Sequence, residues 1–233
     1  MLDPFVANFV LISIILFSLK KNTLSLIPLF LASILRPEFL IILILFGIFL
    51  KAFKPTFFLS LPLIAFQIIL NKCIDQSNFW WWSTIMYYQQ IKKENRENTY
   101  TDIIRRCEKL NSECYKKILL EETKTNYKKI LPFAIKNFIL NPIKLLFFPI
   151  EKYKGKLFIL FAFISLAYAI LLIISITRQR NEKLILFSLL ILVLLYNFYF
   201  ILDNTTWVSR YKLLIIPFEV YLIAKTLSGK SML

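Results

Sequence analysis

Long apolar stretches alternate with short polar breaks along this chain, and most of the breaks carry lysine. Seven stretches predict helices, at residues 4–19, 24–35, 39–50, 56–70, 157–176, 184–202 and 212–227. No alternation of period two recurs, so no sheet is expected. The clearest stretch, 157–176, holds twenty residues without a charge between Lys156 and Arg178. At about 1.5 Å per residue it matches a hydrocarbon layer of roughly 30 Å. The second and third stretches hold only twelve residues each and are separated by Arg36-Pro37-Glu38. Proline suits the first turn of a new helix and disfavours helix in the residue before it, so a break at Arg36 is predicted. The alternative is one kinked helix, which lowers the count from seven spans to six and sets Arg36 and Glu38 near mid-membrane.

The pattern therefore predicts an all-α fold, a polytopic transmembrane bundle with one amphipathic extramembrane segment. The organisation is 1–70 for the first membrane helices, 71–156 for the water-facing segment and 157–233 for the last. The breaks set the orientation. Lys20-Lys21, Lys51 with Lys54, Arg178-Arg180-Lys183, and Lys225 with Lys230 fall on one side of an alternating bundle, which should be cytoplasmic. Asp3, the Arg36 corner, the 71–156 segment and 203–210 fall on the other. That segment carries 17 Lys/Arg against 9 Asp/Glu, but long loops cross largely regardless of charge, so the short loops decide. The expected location is a multi-pass place in a bacterial cytoplasmic (inner) membrane.

Within 71–156, Phe79-Trp80-Trp81-Trp82 and Tyr87-Tyr88 suit an interfacial aromatic belt. Thr101 is placed to cap a helix carrying Ile103, Ile104 and Cys107, and a second helix starts near Ser112. Pro132, Pro142 and Pro149 divide the run 130–150 into short helices lying along the membrane surface.

Composition agrees with the pattern. The 233 residues are 58% hydrophobic, with 23 Phe and only three Gly, and mean hydropathy is +0.64; a soluble core of this size could not bury that much. A net charge of +15 invites a nucleic-acid partner, but in a polytopic protein Lys and Arg gather in loops and meet anionic membrane lipid, and none is expected. Three cysteines without CxxC spacing and no histidine argue against a zinc site and exclude a Ser/His/Asp device; no metal or cofactor is expected. Cys107 and Cys114 can pair if their segment faces an oxidising compartment.

Acidic residues in or beside apolar stretches are few, and each is a candidate for chemistry because it is costly at membrane depth: Asp3, Glu38, Asp203 and Glu219. Each also has a structural reading. Asp3 can mark a helix start, Arg36 and Glu38 can pair, Asp203 can be solvated, and Glu219 can pair with Lys212 or Lys225. Guanidinium forks suit phosphate, so Arg36 and Arg210 at one surface fit a lipid-linked phosphate or pyrophosphate.

Three short motifs, in order, resemble the polyprenyl-phosphate-dependent membrane glycosyltransferases of the GT-C type, which include protein O-mannosyltransferases and aminoarabinose transferases. They are Leu2-Asp3-Pro4-Phe5 opening an apolar helix, Leu35-Arg36-Pro37-Glu38-Phe39 one hairpin later, and Arg210-Tyr211 with Pro217 at the mouth of a late helix. The resemblance implies transfer of a sugar from a polyprenyl-phosphate donor to an envelope or protein acceptor. It implies Asp3 and Glu38 as the catalytic carboxylates, and Arg36, Arg210 and Tyr211 as substrate-binding residues. It also implies a departure: the family's main catalytic acid lies in a first outer loop, which has no counterpart ahead of Asp3. A shortened copy is therefore expected, inactive alone or dependent on a second membrane polypeptide. The rival expectation is a non-catalytic membrane component of surface polysaccharide synthesis or export.

Overall fold

In a computed structural model the described residues are 3–73, 96–107, 112–146, 156–199 and 208–229. Among them every regular element is an α-helix: α1 (Asp3–Ser18), α2 (Asn22–Leu35), α3 (Phe39–Phe49), α4 (Phe53–Cys73), α5 (Arg96–Arg106), α6 (Ser112–Leu146), α7 (Lys156–Arg178), α8 (Lys183–Tyr199) and α9 (Val208–Leu227). The fold class is all-α. Seven of these helices lie where the apolar stretches were. The break at Arg36 is present: its backbone is extended (φ −141°, ψ 102°), and its N–H still donates to Ala32 O at 2.8 Å, closing α2. Residues 24–50 are thus two helices.

Helix length does not carry the seven-span expectation. One helix among the described residues, Leu157–Arg178, is long and apolar enough to cross a membrane, and only 17% of its apolar stretch is buried. The helices Asp3–Ser18, Asn22–Leu35, Phe39–Phe49, Phe53–Ile69 and Lys183–Phe198 are apolar but 10–17 residues long, short of the roughly 20 that a straight span requires.

The chain forms two compact units. The first comprises residues 1–67, 142–196 and 206–233, and the second 68–141 with 197–205. In the first, α1 packs against α2 and α9, α2 against α3, and α9 against α7. Small residues allow the α1–α2 approach, with Ala32 and Ser33 buried and the buried Ser13 hydroxyl donating to Ser25 O at 2.7 Å. Gly47 of α3 lies so close to α4 that a Cβ there would land on the Thr56 side chain. Helices α1 and α3 end in the same way. Lys20 (φ 57°) and Lys51 (φ 54°) take the left-handed conformation, and Lys21 N and Ala52 N each donate to a carbonyl five residues back, at 2.9 Å. Glycine ordinarily holds this closing position.

In the second unit α5 begins at Arg96, so Thr101 stands inside the helix and is not its cap. Cys107 is disulfide-bonded to Cys114, with Cα atoms 6.0 Å apart. Arg106 reinforces the link, donating to Glu122 at 2.5 Å and Glu121 at 3.2 Å. Under this staple Ile103, Cys107, Tyr115, Ile118 and Ile130 form a small core. From 130 to 146 the run is not a set of short helices, because α6 continues through Pro132 and Pro142 to Leu146; Pro149 lies outside the described residues. Its one non-helical residue is Asn126 (φ −114°, ψ 19°), whose amide donates to Glu122 O at 3.3 Å and Glu122 Oε2 at 3.2 Å. Proline 142 cannot supply the N–H that Phe138 O would accept in a helix. Asn197 Nδ2 fills that place, donating to Phe138 O at 2.8 Å. The aromatic run 79–88 lies outside the described residues.

Candidate functional site

The corner between α2 and α3 gathers most of the residues that the sequence singled out. Asp3 stands in the first turn of α1, where the helix N-terminus favours a carboxylate. Its Oδ1 accepts from Arg36 Nε at 3.0 Å and, more closely, from Arg36 Nη2. Glu38 Oε1 faces Arg36 Nη1 at 3.6 Å, an ion pair longer than a hydrogen bond. The guanidinium carbon lies 5.5 Å from the centroid of the Tyr211 ring, within cation–π range. Burial works against the Arg36 charge. The hydrogen bond to Asp3, followed by the charges of Glu38 and Asp3, outweighs it and raises the arginine pKa above its ordinary value. The Asp3 side chain is 4% exposed, that of Glu38 13% and that of Arg36 20%, so Arg36 is the member most open to a ligand.

Chain order did not require this meeting. Asp3 comes from α1, Arg36 from the break between α2 and α3, and Tyr211 from α9, and all meet within the first unit. Arg210 stands one position before Tyr211 in the first turn of α9, and its side chain lies outside the described set, as does Asp203. The fourth acidic candidate, Glu219, is elsewhere on α9. Both its oxygens take Lys212 Nζ at 2.6 Å, Tyr168 donates to Oε2 at 2.6 Å, and the Lys212 and Glu219 side chains are 2% and 0% exposed. Of the two lysines open to it, Glu219 takes Lys212. Lys225 instead pairs with Glu182 in the α7–α8 turn. Lys225 is fourteen positions beyond Tyr211 on α9, about 21 Å by helical rise. The Arg36 corner and the Lys225–Glu182 pair thus lie toward opposite ends of α9.

Sequence reasoning missed Tyr196. It is buried in α8 with its ring 4.6 Å from that of Tyr211, within electrostatic reach of Glu38, Arg36 and Asp3. Among the described residues its hydroxyl has no hydrogen-bond partner. The available signal was a polar pair, Tyr196-Asn197, interrupting an apolar run. The same kind of signal, a lone Tyr168 in the uncharged 157–176 stretch, marked the partner of Glu219.

The arrangement offers an oriented carboxylate, a second carboxylate, a partly open guanidinium and two phenols. Such a set can hold an anion and accept a proton beside it. Among the described residues no cluster of His, Cys, Asp or Glu could hold a metal ion. Comparison with protein-family models, curated proteins and solved structures finds no match to this chain.

Proposed function

We propose that this protein is a multi-pass membrane protein that binds a polyprenyl-phosphate-linked sugar at the Asp3–Arg36–Glu38–Tyr211 corner, and that the corner serves sugar transfer to an envelope acceptor. The observation that carries the proposal is the meeting of those four residues around one guanidinium. Asp3 takes the Nε and Nη2 edge of Arg36, so a phosphate oxygen approaches from the Nη1 side, where Glu38 stands at 3.6 Å. Asp3, held by Arg36, and Glu38 are the groups to accept a proton from the acceptor hydroxyl. The Tyr196 hydroxyl is a further donor to the phosphate.

Support for the membrane reading comes from surfaces. A core helix of a soluble protein is mostly buried, yet α7 exposes Phe158, Leu160, Phe163, Ile164, Ile170 and Ile173. Helix α4 likewise exposes Phe57, Phe58, Leu61 and Ile68. Patches of this extent favour lipid over water. Two features support the expected orientation. Lysine at the left-handed ends of α1 and α3, where glycine costs less, suits a selected cytoplasmic charge. The Cys107–Cys114 bond suits an oxidising compartment for the second unit.

A non-catalytic component of polysaccharide export has one observation in its favour, since Asp3 already engages two N–H groups of Arg36. Binding of an undecaprenyl-phosphate-linked sugar to the protein in nanodiscs, with a soluble hydroxyl acceptor supplied and both retained lipid and glycosylated acceptor followed by mass spectrometry, separates the readings. Wild-type protein should retain the lipid, with Arg36→Ala and Tyr211→Ala losing it at least in part while keeping their helical content. Equal retention by Arg36→Ala would remove the site, and retention without sugar transfer would favour the non-catalytic component.

A further inference from the structure

We propose that the part of α6 beyond its kink, from Tyr127 to Asn141, lies in the headgroup layer of an anionic lipid leaflet. Asn126 divides α6 into two stretches of different character. Before it, Glu113, Glu121 and Glu122 balance Lys116, Lys117 and Lys124, and the helix is covered by α5 through the disulfide, the Arg106 pairs and the small core. Beyond it, the stretch to Asn141 carries Lys128, Lys129 and Lys136 and no acidic residue.

In the same stretch Tyr127, Leu131, Ile135 and Ile139 are all more than half exposed, at 57%, 57%, 52% and 59%. Their spacing of four places them on one ridge of the helix. Lys128 and Lys136 belong to the next ridge, and Lys129 borders it, all three exposed. The opposite side is the covered one. There Ile130, Asn137 and Asn141 are buried. An apolar ridge bordered by lysines whose stems can lie along it, with their ammonium groups reaching phosphate, fits an acidic lipid surface. A basic stretch without a single carboxylate has no complement on a second copy of itself, which argues against self-association.

The test uses full-length protein in a Cys73→Ser background with the disulfide intact, in nanodiscs of phosphatidylcholine with or without phosphatidylglycerol. Single spin labels at Leu131→Cys, Ile135→Cys and Ile139→Cys are compared with one at Lys129→Cys. Labels on the ridge should collide several-fold more with oxygen than with a water-soluble nickel chelate, and the Lys129 label should show the reverse. Replacing Lys128 and Lys136 with Gln should lower the ridge ratio in phosphatidylglycerol and leave it nearly unchanged without that lipid. Equal nickel access at all four sites would overturn the proposal, as would dipolar broadening between copies, which would mark a protein interface. A label at Ile164→Cys on α7 separates this inference from the membrane reading on which it rests. A lipid-shielded Ile164 with a wet α6 sinks the inference alone, whereas a wet Ile164 sinks the membrane reading.

Discussion

The buried Lys212–Glu219 pair allows the interior of the first unit to be tested quantitatively. The two residues are seven positions apart on α9, on either side of Pro217, and the lysine stem reaches across about two turns to place Nζ between both carboxylate oxygens. Replacing Glu219 with Leu leaves an ammonium in a site 2% exposed and removes the acceptor for Tyr168. Stranding one member of a buried pair costs about 3–5 kcal/mol. For a chain of this size about 2–4 °C of melting temperature corresponds to each kcal/mol, so Glu219→Leu and Lys212→Met should each lower it by roughly 6–20 °C. The pair Lys212→Met with Glu219→Gln leaves no charge and keeps an oxygen for Tyr168. It should recover most of that loss, because an apolar or neutral replacement of a buried ion pair is often close to neutral. The assay is thermal unfolding in detergent micelles, followed by intrinsic tryptophan fluorescence, with wild type, Lys212→Met, Glu219→Gln and the double variant treated as a double-mutant cycle. Simple addition of the two single losses would refute the coupling. Single losses below about 1 kcal/mol would show that water reaches the pair.

Three further outcomes are expected. Gly47→Ala should destabilise by about 1–3 kcal/mol through the clash with Thr56, and adding Thr56→Gly should relieve it, whereas Thr56→Ala should not, because the Thr56 Cβ lies 2.5 Å from where the new Cβ would stand; all are read from the same unfolding curves. Lys20→Gly and Lys51→Gly should each raise stability by about 1 kcal/mol by removing a left-handed non-glycine residue, while weakening the orientation bias seen with topology reporters fused after α1 or α3. Asn197→Leu should cost about 1–3 kcal/mol, because the Phe138 carbonyl beside Pro142 loses its donor; amide hydrogen exchange should rise locally near residue 138.

The helices of the first unit were legible because apolar runs and lysine breaks report the same boundary twice, as at Lys20-Lys21 and Lys51. The Arg36 corner was legible because proline acts on its neighbour's backbone, a local effect. The stretch 130–146 was misread for the converse reason. Pro132 and Pro142 suggested breaks, but each removes only one helical hydrogen bond. The partner that replaces the bond at Phe138 is Asn197, which lies 59 positions away. The early start of α5 was hidden as well, because Arg96 to Tyr100 shows no apolar periodicity. At the site, Asp3, Arg36, Glu38 and Tyr211 stood out by charge or motif. Tyr196 did not, since a tyrosine in an apolar helix reads as core until the chain brings it to Tyr211. The pattern did not fix whether stretches such as 24–35 cross a membrane, because twelve residues are too few to declare a span by length.

Photo-crosslinking gives the most direct test of the lipid-phosphate corner. Membranes containing the protein would be loaded with a polyprenyl phosphate bearing a photoreactive group near its phosphate, irradiated, and the adducts mapped by peptide mass spectrometry. Adducts should fall on the first turn of α1, residues 36–40 and the start of α9, and should be suppressed by Arg36→Ala and by excess unlabelled lipid. Adducts confined to other helices, or unchanged in Arg36→Ala, would contradict a phosphate site at this corner.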